Sequence, residues 1–285
     1  MGANSPVAGA AGTTPKTRQL ISQASAARPG PASPEVAPIR VPAEPKAATV
    51  ANVGPGALGA LPPAPAGLMA EEPQLTRAEK IQQMAVLAQE ADKALAGHLS
   101  DVATRVVFGE GDPGARLMFI GEGPGLEEDR TGRPFVGRSG QLLDKMIVAM
   151  GFTRESVYIG NICKLRAASW DDQTGRLKDR PPTAAEAALG LPWLHRQIAI
   201  IQPQVIVTLG LPATRYLVGV TENMGMVRGH WHAYRGIAVM PTYHPAYLLR
   251  AYSPENRGKV WSDLQMVVRR LKEMDGSSLE SSGAT

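Results

Sequence analysis

Apolar residues along this chain follow two rhythms, and the rhythms alternate. From Thr76, apolar positions recur at Ile81, Met84, Leu87, Ala88, Ala91 and Leu95, the three-to-four spacing of one helix face. Thr76-Arg77-Ala78-Glu79 has capping-box spacing, so a helix is predicted from there to about Ala96. A short extended piece, Val106 to Phe108, precedes Gly109. Four continuous apolar runs then read as strands: Leu117 to Ile120, Val157 to Ile162, Val205 to Leu209 and Ile237 to Tyr243. Between them, Leu142, Leu143, Met146, Ile147 and Met150 predict a helix from Gly140, with Gly151 as its stop. A second capping box, Thr183 to Glu186, opens a helix to about Ile201, and a short helix follows Gly210. A final amphipathic helix carries Val260, Trp261, Leu264, Val267, Val268 and Leu271. The polar segment Ala167 to Pro182, with Asp171-Asp172, Gly175 and Pro181-Pro182, reads as a long surface loop.

Strands that are apolar throughout, alternating with helices, bury both faces of a parallel sheet. The expected class is therefore α/β, a three-layer α/β/α domain around a central sheet of about four parallel strands. That domain is expected over residues 71–274. Before it, residues 1–70 are dominated by Ala, Pro, Gly, Ser and Thr, and 13 of the 24 prolines lie before residue 75. Such a composition buries too little apolar surface to offset its ordering entropy, so a disordered tail is expected, either a partner-binding arm or a plain linker. Residues 275–285 are expected to form a flexible polar end. No internal repeat is evident.

Charge changes this picture less than it first promises. The sequence pI is 9.3, but Lys16, Arg18, Arg28, Arg40 and Lys46 against Glu35 and Glu44 give the tail +3 of the net +4. The globular part is close to neutral, and a polyanion would have to be bound by local asymmetry. The single cysteine, Cys163, can neither close an intramolecular disulfide nor supply the several thiolates of a zinc or iron–sulfur site. No stretch has the length and apolarity of a membrane span, and no secretion signal is evident at the N-terminus, which makes a cytoplasmic setting the expectation.

Candidate chemistry falls at the strand ends. Gly121-Glu122-Gly123-Pro124-Gly125 follows the first strand, Asn161 lies in the second, Gly210 follows the third, and His244-Pro245-Ala246-Tyr247-Leu248-Leu249-Arg250 follows the fourth. In an open parallel sheet these positions share one edge, where such sheets place their sites. The glycine loop lacks the Lys-Ser/Thr of a P-loop and the spacing of a dinucleotide fingerprint, so by itself it reads equally as a ligand cradle or a tight turn. His244 reads equally as a structural histidine.

Taken together, Arg116 to Leu143, Val157 to Asn161, Pro203 to Gly210, Arg228 to Tyr234 and Met240 to Arg250 resemble the uracil-DNA glycosylase superfamily, especially its family 4, over about residues 94–271. The resemblance implies that Phe135 stacks on uracil, that Asn161 reads its edge, and that His244 stabilises the departing uracil anion. It implies a water-directing role for Glu122, the position after it being Gly123 where better-known superfamily members carry aspartate. Gly123 and Glu128 would border the base, Glu128 at its C5 edge to exclude a thymine methyl. Tyr247, Leu248, Leu249 and Arg250 would form a loop entering the duplex, with Leu248 or Leu249 as wedge. Arg138 and Ser139, together with Lys164 and Arg166, are the remaining DNA-binding candidates, and Arg176, Lys178 and Arg180 lie in the same basic region.

The departures matter equally. Family 4 holds an iron–sulfur cluster on four cysteines, and Ala94, Gly97, Leu165 and Gly190 stand at the matching places. No cofactor and no metal is therefore expected. His230 and His232 flank Trp231 but lack acidic or cysteine neighbours, a poor metal set. A superfamily branch that bonds covalently to DNA uses a histidine in the 167–182 loop, and none is there. The expected activity is that of a monofunctional glycosylase that releases uracil and leaves an abasic site. The alternative is a uracil- or abasic-DNA binding protein with poor turnover, and a nucleotide-binding α/β enzyme is a third reading. The expected partner is uracil-containing DNA, single- or double-stranded, met by a monomer in a bacterial-type, nucleoid-associated cytoplasmic setting.

Overall fold

A computed structural model describes residues 75–282, with only the backbone path described for 276–282. The tail expected over residues 1–70 lies outside them.

The order of elements is α1 (Arg77–Leu95), β1 (Glu110–Gly111), β2 (Leu117–Gly121), α2 (Leu126–Thr131), α3 (Arg138–Ala149), β3 (Tyr158–Asn161), β4 (Ala168–Asp171), β5 (Arg176–Asp179), α4 (Ala184–Ile201), β6 (Val205–Leu209), α5 (Leu211–Val218), α6 (Met224–Val227), β7 (His232–Tyr234), β8 (Ile237–Thr242), α7 (Pro245–Arg250) and α8 (Pro254–Ser282). Both capping boxes form: Thr76 and Glu79 cap α1, and Thr183 and Glu186 cap α4, each side chain bonding the other residue's backbone N–H. These reciprocal bonds satisfy donors that the first helical turn leaves unpaired.

The sheet has six strands in the order β1-β3-β2-β6-β8-β7. The four parallel strands expected from the apolar runs form its centre, while β1 pairs antiparallel with β3 and β7 antiparallel with β8. The expected α/β class with its four parallel strands is present, and the two antiparallel edge strands extend it to a mixed, mainly parallel sheet. The two edge strands are only two and three residues long, too short for a periodic signal. Val106 to Phe108 is not a strand, although the Val107 N–H bonds the carbonyl of Lys164. The segment 167–182 is not irregular either: β4 and β5 form a hairpin with Trp170 opposite Leu177.

Alternation along the buried strands sorts the core into two layers. Leu117 and Phe119 of β2, with Val205, Val207 and Leu209 of β6, meet Leu143 and Ile147 of α3 and Val260, Leu264 and Val267 of α8. Met118 and Ile120, with Ile206 and Val239, face Leu87 of α1, Leu194 and Ile198 of α4, and Leu217 of α5. Each such side chain fully removed from water stabilises by about 1.5–3 kcal/mol, which holds helices on both faces and leaves the strand ends free for chemistry. The helical path of α8 runs to Ser282, past Asp275 where a polar end was expected.

Candidate active site

The parallel register brings the glycine loop and three other strand ends to one edge. Gly121, the last residue of β2, pairs in register with Asn161, the last of β3; Leu209 of β6 pairs with Thr242 of β8, and Gly210 donates its N–H to the Thr242 carbonyl at 2.8 Å. A Cβ on Gly121 would lie 2.4 Å from Phe135 Cζ and 2.5 Å from Asn161 Oδ1. Glycine at 121 is therefore what lets the Phe135 ring and the Asn161 amide converge. The Phe135 ring also lies 5.7 Å from the His244 ring, tilted by 33°, and Gly210 gives His244 room, since a Cβ there would sit 3.1 Å from His244 Cβ.

Phe135 is buried and has φ of +51°, unusual for a residue with a side chain. Such a conformation costs on the order of 1–3 kcal/mol and persists only where surrounding groups enforce it. Here they do. The Gly140 position offers no room for a side chain, because a Cβ would overlap the Phe135 carbonyl. Arg154 donates to the carbonyls of Pro134 and Phe135. Glu128 accepts the N–H groups of Val136 and Gly137 with Oε1, at 2.8 and 2.9 Å, and that of Gly125 with Oε2 at 3.1 Å. Both Glu128 oxygens are spent on backbone, clamping the glycine loop to the 134–137 turn. These bonds fix the Glu128 carboxylate beside the glycine loop and do not bear on its expected place at the C5 edge of a base.

Asn161 is 1% exposed, and its Oδ1 has no partner among protein atoms. A buried acceptor left open costs free energy unless a ligand donor meets it. His244 caps α7, its Nδ1 accepting the Ala246 N–H at 3.1 Å, so the ring proton sits on Nε2. Burial and the nearby Arg250 charge push His244 down to about 4, which keeps the ring neutral at ordinary pH. Burial also raises the Glu122 carboxyl above the usual carboxylate range, and its Oε1 has no partner. The arrangement offers a flat apolar ring, an open amide, a neutral N–H donor and a half-buried carboxyl with an open oxygen. That set can hold a planar heterocycle and stabilise charge developing on it.

Other expected site residues divide by exposure. Arg138 is exposed and Ser139 partly so in the first turn of α3, which packs against α7. Tyr247, Leu249 and Arg250 are exposed, whereas Leu248 is 3% exposed within the α3–α8 core. The expected loop is a helical turn, and helical geometry turns Leu248 inward and Leu249 outward, so Leu248 is corrected from wedge to core. Lys164 and Arg166 are corrected too. Lys164 is 1% exposed and donates to the Asn161 carbonyl at 2.9 Å and to Gln197 Oε1 at 2.7 Å; burial drives its ammonium down to about 7. Arg166 is buried against Asp179 at 2.7 Å. Neither is placed to meet a phosphate. Arg180 is paired with Glu186, while Arg176 and Lys178 are exposed on the hairpin.

Several residues that position the site gave no sequence signal. Arg154 reads as one polar residue in a turn before a strand. Asp263 of α8, 1% exposed, accepts from Thr242 Oγ1 at 2.7 Å and pairs with Arg228, bracing the end of β8 just before His244. His230 and His232 bond the backbone carbonyls of Arg228 and Val227. Among the described residues no group of three or more His, Cys, Asp or Glu could hold a metal ion. Cys163 is buried, and burial with the nearby Glu186 and Glu122 pushes its thiol up to about 12, so it is inert as a nucleophile.

The residues at the family-4 cluster positions do not fit an iron–sulfur group. None of Ala94, Gly97, Leu165 and Gly190 is a thiolate donor. A Cβ at Gly190 would meet the Ile162 carbonyl oxygen at 2.2 Å, because α4 packs directly on that backbone. A cavity of about 300 Å³ lined by Leu95, His98, Leu165 and Gly190 lies beside this contact.

Comparison with known proteins agrees with this geometry. Residues 108–265 match the family model described as the uracil DNA glycosylase superfamily. A type-4 uracil-DNA glycosylase of Thermotoga maritima is 41% identical over 194 residues, 67% of this chain and 95% of the relative. Another of Sulfurisphaera tokodaii is 40% identical over 173 residues, 58% of this chain and 74% of the relative, and one of Archaeoglobus fulgidus is 33% identical over 177 residues, 59% and 83%. With its matched segment spanning the sheet and every strand end of the site, the chain belongs to the uracil DNA glycosylase superfamily.

Proposed function

We propose that the protein is a monofunctional uracil-DNA glycosylase, which hydrolyses the N-glycosidic bond of a flipped-out deoxyuridine and leaves an abasic site. The observation that carries this reading is the convergence of Phe135, Asn161 and His244 at one sheet edge, with Glu122 in the loop that leaves β2 there, in a family whose type-4 relatives are about 40% identical. A base taken out of the stack needs an apolar face and a polar edge to replace what it lost. Phe135 supplies the face. Asn161 Oδ1 accepts from uracil N3–H while its amide N–H₂ donates to O4, and cytosine presents the opposite pattern. As the bond to C1′ lengthens, negative charge gathers on uracil O2, where the neutral Nε2–H of His244 donates. A preorganised donor of this kind is worth about 2.7–4 kcal/mol. Glu122, as carboxylate, orients and deprotonates the water that attacks C1′.

Outside the base, Arg138, Ser139, Tyr247 and Arg250 contact the strand and Leu249 fills the gap left by the flipped nucleotide. Uracil-containing DNA is thus the substrate and partner. No helix among the described residues is long and apolar enough to cross a membrane.

The test is release of uracil from an oligonucleotide carrying one deoxyuridine, read as alkaline strand cleavage. Release by the wild type and a strong fall in His244→Ala are expected, and no release from either single- or double-stranded substrate would sink the proposal. Gly123, where the loop carries no acid, favours testing turnover as well. A burst of one product per protein followed by stalling would instead favour a uracil- or abasic-DNA binding role.

A further inference from the structure

The backbone conformation of one residue is set by the two peptide planes that flank it, and at Phe135 a single distant side chain grips both. The Pro134 carbonyl belongs to the plane before Phe135 and the Phe135 carbonyl to the plane after it. Arg154 donates to the first through Nη2 and to the second through Nη1 at 3.1 Å. Its guanidinium is itself held from behind. Nε bonds Glu110 Oε1 at 2.7 Å, and Nη1 pairs with Asp144 Oδ1 at 2.6 Å. With the side chain only 15% exposed, every guanidinium nitrogen is engaged and water competes weakly for the two carbonyls.

We propose that Arg154 is a positioning residue for the reaction: by fixing both peptide planes of Phe135 it holds that residue at positive φ and so keeps its ring beside Gly121, Asn161 and His244. The proposal rests on the reading in which Phe135 stacks on the flipped base. Without the grip, Phe135 can relax toward the negative φ that side chains prefer, and its ring leaves the Gly121 surface. Glu128 fixes the opposite side of the second plane through the Val136 N–H, so the turn is held from two directions. A lysine cannot substitute, because its ammonium is a point donor and the two carbonyls require a fork.

The experiment is a double-mutant cycle on the full chain, with Arg154→Lys and Phe135→Ala, read as kcat/KM on a deoxyuridine oligonucleotide alongside Tm. Arg154→Lys keeps a cation beside Glu110 and Asp144 and is expected to fold, yet to lose about tenfold to a hundredfold in kcat/KM through a ring displaced by an ångström or so. The double variant is expected to be no worse than Phe135→Ala alone. Asp144→Asn, which weakens an ion pair but leaves both carbonyl contacts, is expected to stay within about twofold of wild type. Multiplying losses in the double variant, an unimpaired Arg154→Lys, or an Asp144→Asn loss equal to that of Arg154→Lys would each overturn the proposal while leaving base stacking intact. Full activity in Phe135→Ala would instead remove the stacking reading, and the role of Arg154 with it.

Discussion

His244 Nδ1 accepts the backbone N–H of Ala246 at 3.1 Å, and this one bond decides where the imidazole proton sits. With Nδ1 occupied as an acceptor and the ring held neutral by burial, Nε2–H is the only donor the ring can offer. His244→Ala is expected to lower the single-turnover rate by about 10²- to 10³-fold, the usual cost of one preorganised donor. The same residue couples to stability. Its folded pKa of about 4 lies below the ordinary 6.5, so between those values the unfolded chain binds more protons. Stability is present above about pH 6.5 and lost as pH falls toward 4, at up to about 1.4 kcal/mol per pH unit. Denaturation midpoints across that window should show the slope in wild type and a shallower one in His244→Ala.

Glu122 should govern the acid limb of activity. It must be ionised to direct water, and burial raises its pKa above the ordinary 4.5. The rate should therefore fall with decreasing pH sooner than an exposed carboxylate would dictate. Glu122→Gln should remove that limb and lower the rate by about 10²- to 10⁴-fold. A Gln variant with wild-type rate and an unchanged profile would assign water activation elsewhere.

Burial separates two cations that the sequence grouped together. Arg250 is exposed at the end of α7, whereas Lys164 lies beneath Asn161. In salt titrations of DNA binding, Arg250→Ala should reduce the slope of log K against log salt by about one. Lys164→Met should leave that slope unchanged and instead lower stability by about 1–3 kcal/mol, since the Asn161 carbonyl and Gln197 amide lose their donor.

The leucine pair on α7 should divide in the same way. Leu248→Ala is expected to destabilise by about 2–5 kcal/mol, as buried large-to-small changes do. Leu249→Ala should change stability by no more than about 0.5 kcal/mol and yet slow uracil release from duplex more than from single strand, where no gap needs filling. Equal effects on both substrates would argue against a wedge.

The order of elements was readable because each strand was apolar from end to end and each long helix announced itself with a capping box or a regular stripe. Edge strands β1 and β7, the β4–β5 hairpin and α2 escaped, since two to six residues carry too few positions for a period to show. At the site, Phe135, Asn161, Glu122 and His244 were nameable from motifs. Lys164, Arg166 and Leu248 were nameable too, but their directions were not. A lysine beside a strand end reads as a surface cation until the helix that covers it, here α4 with Gln197, is in place.

The sequence by itself determined the α/β alternation, the strand ends that carry chemistry and the lack of thiolates for a cluster, because local patterns and residue chemistry are written along one dimension. Only the tertiary structure decided which polar groups face outward and which hold the frame. Arg154 and Phe135 are 19 residues apart, and Arg228 and Asp263 are 35 apart. Burial and hydrogen-bond partnership are set by what packs against a residue from elsewhere in the chain. That is why the glycine loop's acids could be counted in advance, while the division between Glu128 as a clamp and Glu122 as an open carboxylate had to await the fold.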